Sequence, residues 1–172
     1  MATTAMSGYT RRIAVYTPPK SHMTLRAGGA EIYPGHAVTS TGNTFPDVML
    51  LDAISDSCVG IAGVPDGADV DTVIADNKEF EVFLTGSGAI VYGFHMGATG
   101  GAVVAGDILC AHGESATGLL MPLSKALQDV AADHTSTVLA TAITKLFALV
   151  GRSLETHASA TANTPIQVRL SV

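Results

Sequence analysis

An internal repeat is the feature of this sequence that most limits its fold. The first copy, at residues 59–84, reads VGIAGVPDGADVDTVIADNKEFEVFL, which is a strand that begins Val-Gly, a polar loop and a second strand. The second copy, at residues 150–170, has the same order and reads VGRSLETHASATANTPIQVRL. In the closing strand of the first copy Phe80, Val82 and Leu84 alternate with Glu79, Glu81 and Phe83, and in that of the second copy Ile166, Val168 and Leu170 alternate with Gln167 and Arg169. This period of two is typical of a strand with one buried face.

The two copies extend upstream of these stretches. A Gly-His-Ala-Val strand at residues 35–38 precedes the first copy, and a Gly-Asp-Ile-Leu strand at residues 106–109 precedes the second. Two copies are too few for a solenoid, but they suit a small closed β structure. The sequence therefore predicts a mainly β fold, a small β-barrel or β-sandwich-like domain with two pseudo-repeated β units.

The second copy carries an insertion of about 20 residues, because Gly35 to Gly60 spans 25 residues and Gly106 to Gly151 spans 45. Apolar residues in the insertion follow helical spacing, and Ser124 is suited to cap a helix there. One or two short helices are therefore predicted between residues 124 and 145. Residues 138–147 fit either a helix or a strand, because their spacing is helical but they are rich in Thr, Val and Ile.

The rest of the chain predicts short strands joined by glycine-rich turns. Gly28-Gly29 is expected to turn a hairpin between residues 23–26 and 30–33. Residues 48–54 fit a strand or a single helical turn. Further strands are predicted at residues 90–94, 108–111, 119–123 and 166–172.

The first 24 residues are predicted to be an extended arm, and residues 25–172 a β-rich body that folds without it. The arm has few core-type residues, and Pro18-Pro19 separates it from the body. A short strand within it can add to the edge of a partner's sheet through main-chain hydrogen bonds. The residues expected to contact the partner are Tyr9, Thr10, Arg11, Arg12, Ile13, Val15 and Tyr16.

Composition limits the partners of the chain. Only 14% of the residues are charged while 47% are hydrophobic, so some apolar surface is expected to be buried against other subunits. The net charge of −6 argues against nucleic-acid binding, which needs clustered Lys and Arg. The longest apolar run, residues 138–150, is too short and too polar to span a membrane. Cys58 and Cys110 lie within predicted strands, which fits a reduced, intracellular origin.

Several residue groups have the chemistry of a site but not its spacing. The glycines of residues 97–101 lack the lysine and hydroxyl residue of a phosphate-binding loop, so they predict a turn. Asp66, Asp69 and Asp71 lack the spacing of an EF-hand and are expected to form a solvated loop rather than a calcium site.

Metal and acid–base candidates are equally weak. Cys110 and His112 would face the same side of a strand, and Cys58 or His95 could complete a zinc site, but no second close-spaced ligand pair exists. Asp52 and Asp56 could form an acid–base pair on a helix, although a solvated face fits them better. Gly86-Ser87-Gly88 is too short for a nucleophile elbow. The sequence predicts no catalytic residue, no metal and no cofactor.

A series of short motifs resembles the capsid decoration (cement) proteins of tailed phages and related viruses. In chain order the motifs are Gly-x-Ala-Val at residues 35–38, Val-Gly-Ile-Ala at 59–62, Gly-Asp-Ile-Leu at 106–109, Val-Gly-Arg-Ser-Leu-Glu at 150–155 and Val-Arg-Leu at 168–170. The resemblance covers about residues 25–172. It implies a small barrel-like fold without catalysis, trimers bound outside the capsid shell, and an N-terminal arm that becomes ordered on the capsid. The insertion from Ser124 to about Lys145 departs from this pattern.

The expected partners are therefore the major capsid protein and two further copies of the chain, on the capsid exterior of a virion whose parts are made in the host cytoplasm. Another virion component, such as a tail or minor capsid protein, stays open as an alternative, and a hexameric ring would favour it. A ligand-binding or enzymatic β-barrel is the third possibility, and convergent polar groups in one pocket would be its sign.

Overall fold

The structure is a computed structural model that describes residues 13–29, 31–41, 46–51, 57–66, 68–111, 118–128, 148–158 and 164–171. Within these ranges the chain forms β1 (Ala14–Tyr16), β2 (His22–Ala27), β3 (Ala37–Ser40), β4 (Asp47–Leu50), β5 (Cys58–Ala62), β6 (Glu79–Leu84), β7 (Ile90–His95), β8 (Ile108–Ala111), β9 (Leu120–Pro122), α1 (Leu123–Gln128), β10 (Leu149–Ser153) and β11 (Thr164–Arg169). A 3-10 turn, Ala98–Gly100, follows β7. The predicted mainly β fold is confirmed.

The strands build two closed five-stranded barrels that have the same topology. The first barrel has the order β2-β4-β3-β5-β6, and the second has the order β7-β9-β8-β10-β11. Each strand of the second barrel is thus the counterpart of the strand five places earlier. The closing pairs β2–β4 and β7–β9 are parallel, while every other pair among the described strands is antiparallel. β1 lies outside this scheme and pairs with β7.

The duplication extends to the pairing register. Val38 of β3 faces Gly60 of β5, and in the second barrel Leu109 of β8 faces Gly151 of β10. In both barrels the register then shifts by one residue, so that Val59 and Val150 form equivalent β-bulges. The predicted pseudo-repeat is therefore real, and each copy closes a barrel of its own.

The glycine after each bulge lies against the neighbouring strand. A Cβ atom placed on Gly60 would be 2.1 Å from the carbonyl oxygen of Phe83, and one placed on Gly151 would be 2.1 Å from that of Arg169. No carbon atom fits at that distance, so a side chain at either position would push the strands apart. This close approach is the physical reason for the repeated Val-Gly motif.

Residues of the first barrel alone form its interior. The inward-facing side chains are Leu25, Ala27, Ile32, Val38, Val48, Leu50, Ala62, Ile74, Phe80 and Val82. The period of two predicted Phe80 and Val82 on the buried face, and both are buried.

The interior of the second barrel is continuous with the outer face of the first. Ile61 and Phe83, which are cross-strand neighbours on the first barrel, are buried in the same cluster as Val91, Leu109 and Val168. Phe83 was predicted on the polar side of its strand, but the second barrel covers that side. The equivalent cross-strand pair on the second barrel is Arg152 and Arg169, and both are exposed.

The turn before β3 and the first residue of β3, in the first barrel, contact the second barrel at β7 and just before β9. The N–H of Ala37 donates to the carbonyl oxygen of Gly118 at 2.8 Å, and the N–H of Phe94 donates to that of Gly35 at 3.3 Å. Gly35 has a φ of +83°, and a Cβ there would lie 2.6 Å from the ring of Phe94. The glycine thus permits both the turn before β3 and the contact between the barrels.

The predicted boundary of the arm is wrong for residues 13–24, which belong to the body. Ile13 is only 2% exposed and packs in the core of the second barrel. β1 pairs antiparallel with β7, where Ala14 faces Val91. β2 begins at His22, inside the range assigned to the arm. Residues 1–12 lie outside the described residues, so the prediction made for them stays a prediction.

Two smaller expectations differ from the structure, and for residues 48–54, which fit a strand or a helical turn, the structure has a strand at residues 47–50. Gly28-Gly29 does not turn a hairpin, because β2 pairs with β6 and β4 while Ile32 forms a bridge with Ile74. The helix α1 begins at Leu123, so Ser124 lies within its first turn rather than at its cap. The rest of the predicted insertion, residues 129–145, lies outside the described ranges, as does the whole of the ambiguous stretch 138–147.

Candidate functional site

The N-terminal strand β1 is the described part of the predicted partner contact. The carbonyl oxygen of Ile13 accepts a hydrogen bond from the N–H of Tyr92 at 2.8 Å. Val15 and Tyr16 are 49% and 56% exposed. Of the predicted contact residues, Ile13 is therefore used inside the chain while Val15 and Tyr16 are available to a partner. Tyr9, Thr10, Arg11 and Arg12 lie outside the described residues.

An open strand edge lies on β2 of the first barrel, which the sequence reasoning missed. The odd-numbered residues of this stretch bond to β6, since the N–H of Leu84 donates to Ser21 O and the N–H of Ala27 donates to Lys78 O. The even-numbered residues face the other way, and at the far end the N–H of Arg26 donates to Pro46 O beside β4. Main-chain groups alternate between the two edges of a strand, so those of His22 and Thr24 point to the open edge.

The open edge has no backbone partner among the residues that the structure describes. No main-chain hydrogen bond on that side reaches His22 or Thr24. Met23, between them, is 42% exposed, whereas its counterpart Val91, which is paired with Ala14 of β1, is 0% exposed. The first barrel thus leaves uncovered the positions that β1 covers on the second. No pattern in the sequence marks this edge, because it depends on which strands pair.

Acidic side chains lie on β6, the strand that pairs with the other edge of β2. Glu81 lies opposite Thr24 on the neighbouring strand, and its carboxylate is 3.5 Å from Nε2 of His22. Glu79 is also exposed. Arg26, by contrast, is committed to Asp47 through two hydrogen bonds of 2.6 and 3.0 Å. These bonds link β2 to β4 and lower the pKa of the Asp47 carboxyl.

The predicted metal candidates are not brought together. Neither cysteine forms a disulfide and both are buried, and burial raises the pKa of the Cys58 thiol to about 12, so it is an unreactive thiol. Cys110 lies beneath α1, where its thiol is 3.7 Å from the carbonyl oxygen of Met121. His112 lies outside the described residues. Within the described part of the chain, no group of three or more His, Cys, Asp and Glu side chains could hold a metal ion.

The acidic and glycine-rich loops have local structural roles. The N–H of Thr72 donates to Asp69 O at 2.9 Å, and the N–H of Asp69 donates to the Thr72 hydroxyl at 3.2 Å, which closes a turn. The glycines of residues 97–101 form a 3-10 turn, in agreement with the predicted turn. Asp52 and Asp56 lie outside the described residues.

His95 is a buried titratable group that the sequence reasoning considered only as a zinc ligand. Its Nδ1 accepts a hydrogen bond from the N–H of Gly97 at 3.1 Å, so in the neutral ring the proton is on Nε2. Burial first, and then the neighbouring His157, lower the pKa of His95 and outweigh the opposing contribution of the Gly101 backbone. His157 in turn pairs with Glu155 at 3.2 Å.

We expect the stability of the protein to fall as the pH drops below about 6.5, the ordinary pKa of histidine. The pKa of His95 is lower in the folded state, so between the folded and unfolded values the unfolded chain binds more protons. The stability that the neutral His95 ring contributes is fully present above the pKa that His95 has in the unfolded chain. It is lost as the pH falls towards the lower pKa of the folded state, at no more than about 1.4 kcal/mol per pH unit. Protonation also removes the acceptor for the N–H of Gly97.

Melting temperatures between pH 8 and pH 5 test this expectation. His95→Asn offers an oxygen near the position of Nδ1 but does not titrate in this range, so its pH profile should be flatter than that of the wild type. His22→Asn makes the same substitution at an exposed histidine and is the matched control for the change of side chain. Equal slopes for His95→Asn and the wild type would contradict the assignment.

The helix within the described ranges is too short to cross a membrane. Among the described residues, the exposed part of β1 and the open edge of β2 are the candidate binding surfaces. No family model matches this sequence, and no curated protein is found to be similar to it.

Proposed function

We propose that this protein is a structural component of a virion that binds the outside of the capsid shell and stabilises it as a decoration protein. The observation that carries the proposal is the place of the motifs behind the sequence resemblance. Gly35 and Gly106 each lie two residues before the equivalent strands β3 and β8, and Gly60 and Gly151 occupy the equivalent close approaches. The motifs therefore correspond to a duplicated barrel and not to scattered short matches.

The exposed surfaces support attachment by an extended chain. Val15, Tyr16 and Met23, three of the exposed large apolar side chains, lie within the nine residues that lead from β1 into β2. An extended segment gains main-chain hydrogen bonds when it pairs with a strand edge. On a closed shell many such contacts act together, so each one need not be strong.

The proposed partners are the major capsid protein and two further copies of the chain, in a homotrimer. The low charge and high apolar content of the sequence support burial of surface between subunits. No reaction is proposed for this protein.

Binding to empty capsid shells tests the proposed function. The shells would be assembled from the major capsid protein encoded in the same genome, and the full chain should bind them saturably on the outside and raise their resistance to heat or urea. A chain that lacks residues 2–11 but keeps β1 should bind more weakly. Absence of binding would contradict the proposal, and a hexameric ring on the tail would replace it with the tail-protein alternative.

A further inference from the structure

We infer that the open edge of β2 binds the N-terminal segment, residues 1–12, of a second copy of this chain as an added antiparallel strand. The inference deepens the proposed function, because it names the acceptor and the partner of that segment. It rests on the duplicated barrels themselves, so it can be tested in solution without a capsid.

The second barrel shows how such a strand fits. On β7, Ile90 and Tyr92 are the counterparts of His22 and Thr24 on β2, because both strands keep one register with their partners β11 and β6. β1 lies antiparallel along this part of β7, and the N–H of Tyr92 donates to Ile13 O. The N–H of Thr24 has the equivalent position and direction on the first barrel. A strand placed there would repeat the pairing that β1 makes.

The length of the N-terminal segment, and the fact that β1 already fills the edge on β7, favour this segment of another copy as the strand that binds β2. Each chain has two equivalent edges, and its own β1 already fills the one on β7. Twelve residues precede Ile13, and in extended conformation they reach about 40 Å.

Charge favours the same segment. Residues 1–12 contain Arg11 and Arg12 and no acidic residue. Glu79 and Glu81 lie on β6, the strand next to the acceptor strand β2, while Arg26 is already paired with Asp47. Opposite charges of this kind set the partner and the register of an added strand.

Thr24→Pro is the variant that tests the acceptor. Its N–H points to the open edge, so proline removes a donor for the incoming strand without removing a hydrogen bond to β6. Sedimentation of the full chain at micromolar concentration should show self-association, and Thr24→Pro should weaken it about tenfold or more. The matched control, Thr24→Val, keeps the N–H and should associate like the wild type.

A mixing experiment tests whether the contact is between chains. The chain without residues 2–11 has the edge but not the segment, and Thr24→Pro has the segment but not the edge. Neither should self-associate, but a mixture of the two should form a one-to-one complex. Failure of the mixture to form it would overturn the inference, as would unchanged self-association of either variant or a wild-type chain that stays monomeric.

A charge exchange keeps the test valid if Thr24→Pro fails to fold. Reversal of Glu79 and Glu81 to Arg should weaken self-association, and Arg11→Glu with Arg12→Glu on the same chain should restore it. Restoration supports pairing of these groups, while no effect of either change would count against the acceptor. Capsid binding is measured separately, so failure here leaves the proposed function standing with a different acceptor for the segment.

Discussion

Gly60→Ala and Gly151→Ala should each lower the free energy of unfolding by about 3 kcal/mol, which is the upper range for overpacking in a closed structure. The added methyl group would lie 2.1 Å from a carbonyl oxygen of the adjacent strand in both cases. Main chain cannot move aside as a flexible side chain can, so the β5–β6 or β10–β11 pair must separate. Because the contacts are equivalent, we expect losses of similar size in the two barrels.

Urea denaturation of the purified variants measures these losses. Gly63→Ala is a graded control in the same region, since a Cβ there would lie 3.0 Å from the carbonyl oxygen of Glu81. It should cost clearly less than either of the other two changes. A loss for Gly60→Ala or Gly151→Ala no larger than that of Gly63→Ala would show that the strands yield easily and that the repeated Val-Gly motif has another cause.

Ile13→Ala should lower the free energy of unfolding by about 2–4 kcal/mol, as expected for a large side chain removed from a core. Ile13 is 2% exposed and packs with Phe94 and other residues that lie far away in the sequence. Val15→Ala, two residues further along the same strand, removes a side chain that is 49% exposed. It should change stability by no more than about 0.5 kcal/mol.

Comparing the stabilities of these two variants shows whether β1 is a strand of the body or part of a detachable arm. Deletion of residues 2–11 keeps Ile13 and β1, and it should leave the melting temperature of the isolated protein nearly unchanged. If Ile13→Ala proves as mild as Val15→Ala in thermal and urea unfolding, β1 does not stabilise the second barrel, and the body would begin near residue 21 instead.

The repeat could be predicted from the sequence because its causes are local. Gly60 and Gly151 are fixed by one close approach each, and the alternation around Phe80 and Val82 follows from one buried face. The first strand of each barrel could not be matched in this way, since HMTLRA of β2 and IVYGFH of β7 share no pattern. The two barrels were therefore expected as halves of one domain without a prediction of how each closes.

The burial of Ile13 and Phe83 could not be predicted, because distant parts of the chain decide it. Phe83 was assigned to the polar side of its strand, and only the packing of the second barrel onto that side buries it. Ile13 was assigned to a free arm, although it packs in the core of the second barrel and its carbonyl group accepts from Tyr92. The open edge of β2 has the same character, since it depends on which strands pair with β2 and over what length.

The exposed arginine pair of the second barrel limits how far the duplicated unit can polymerise. Two like units that pack head to tail through the same face would continue to add units and grow into a fibre, because such contacts do not close on themselves. Ile61 and Phe83 make the packed face of the first barrel apolar, whereas Arg152 and Arg169 occupy the equivalent face of the second. Burial of two guanidinium charges against an apolar face costs far more than apolar contact would return. Packing through this face therefore stops after the two barrels of one chain and does not extend into a fibre.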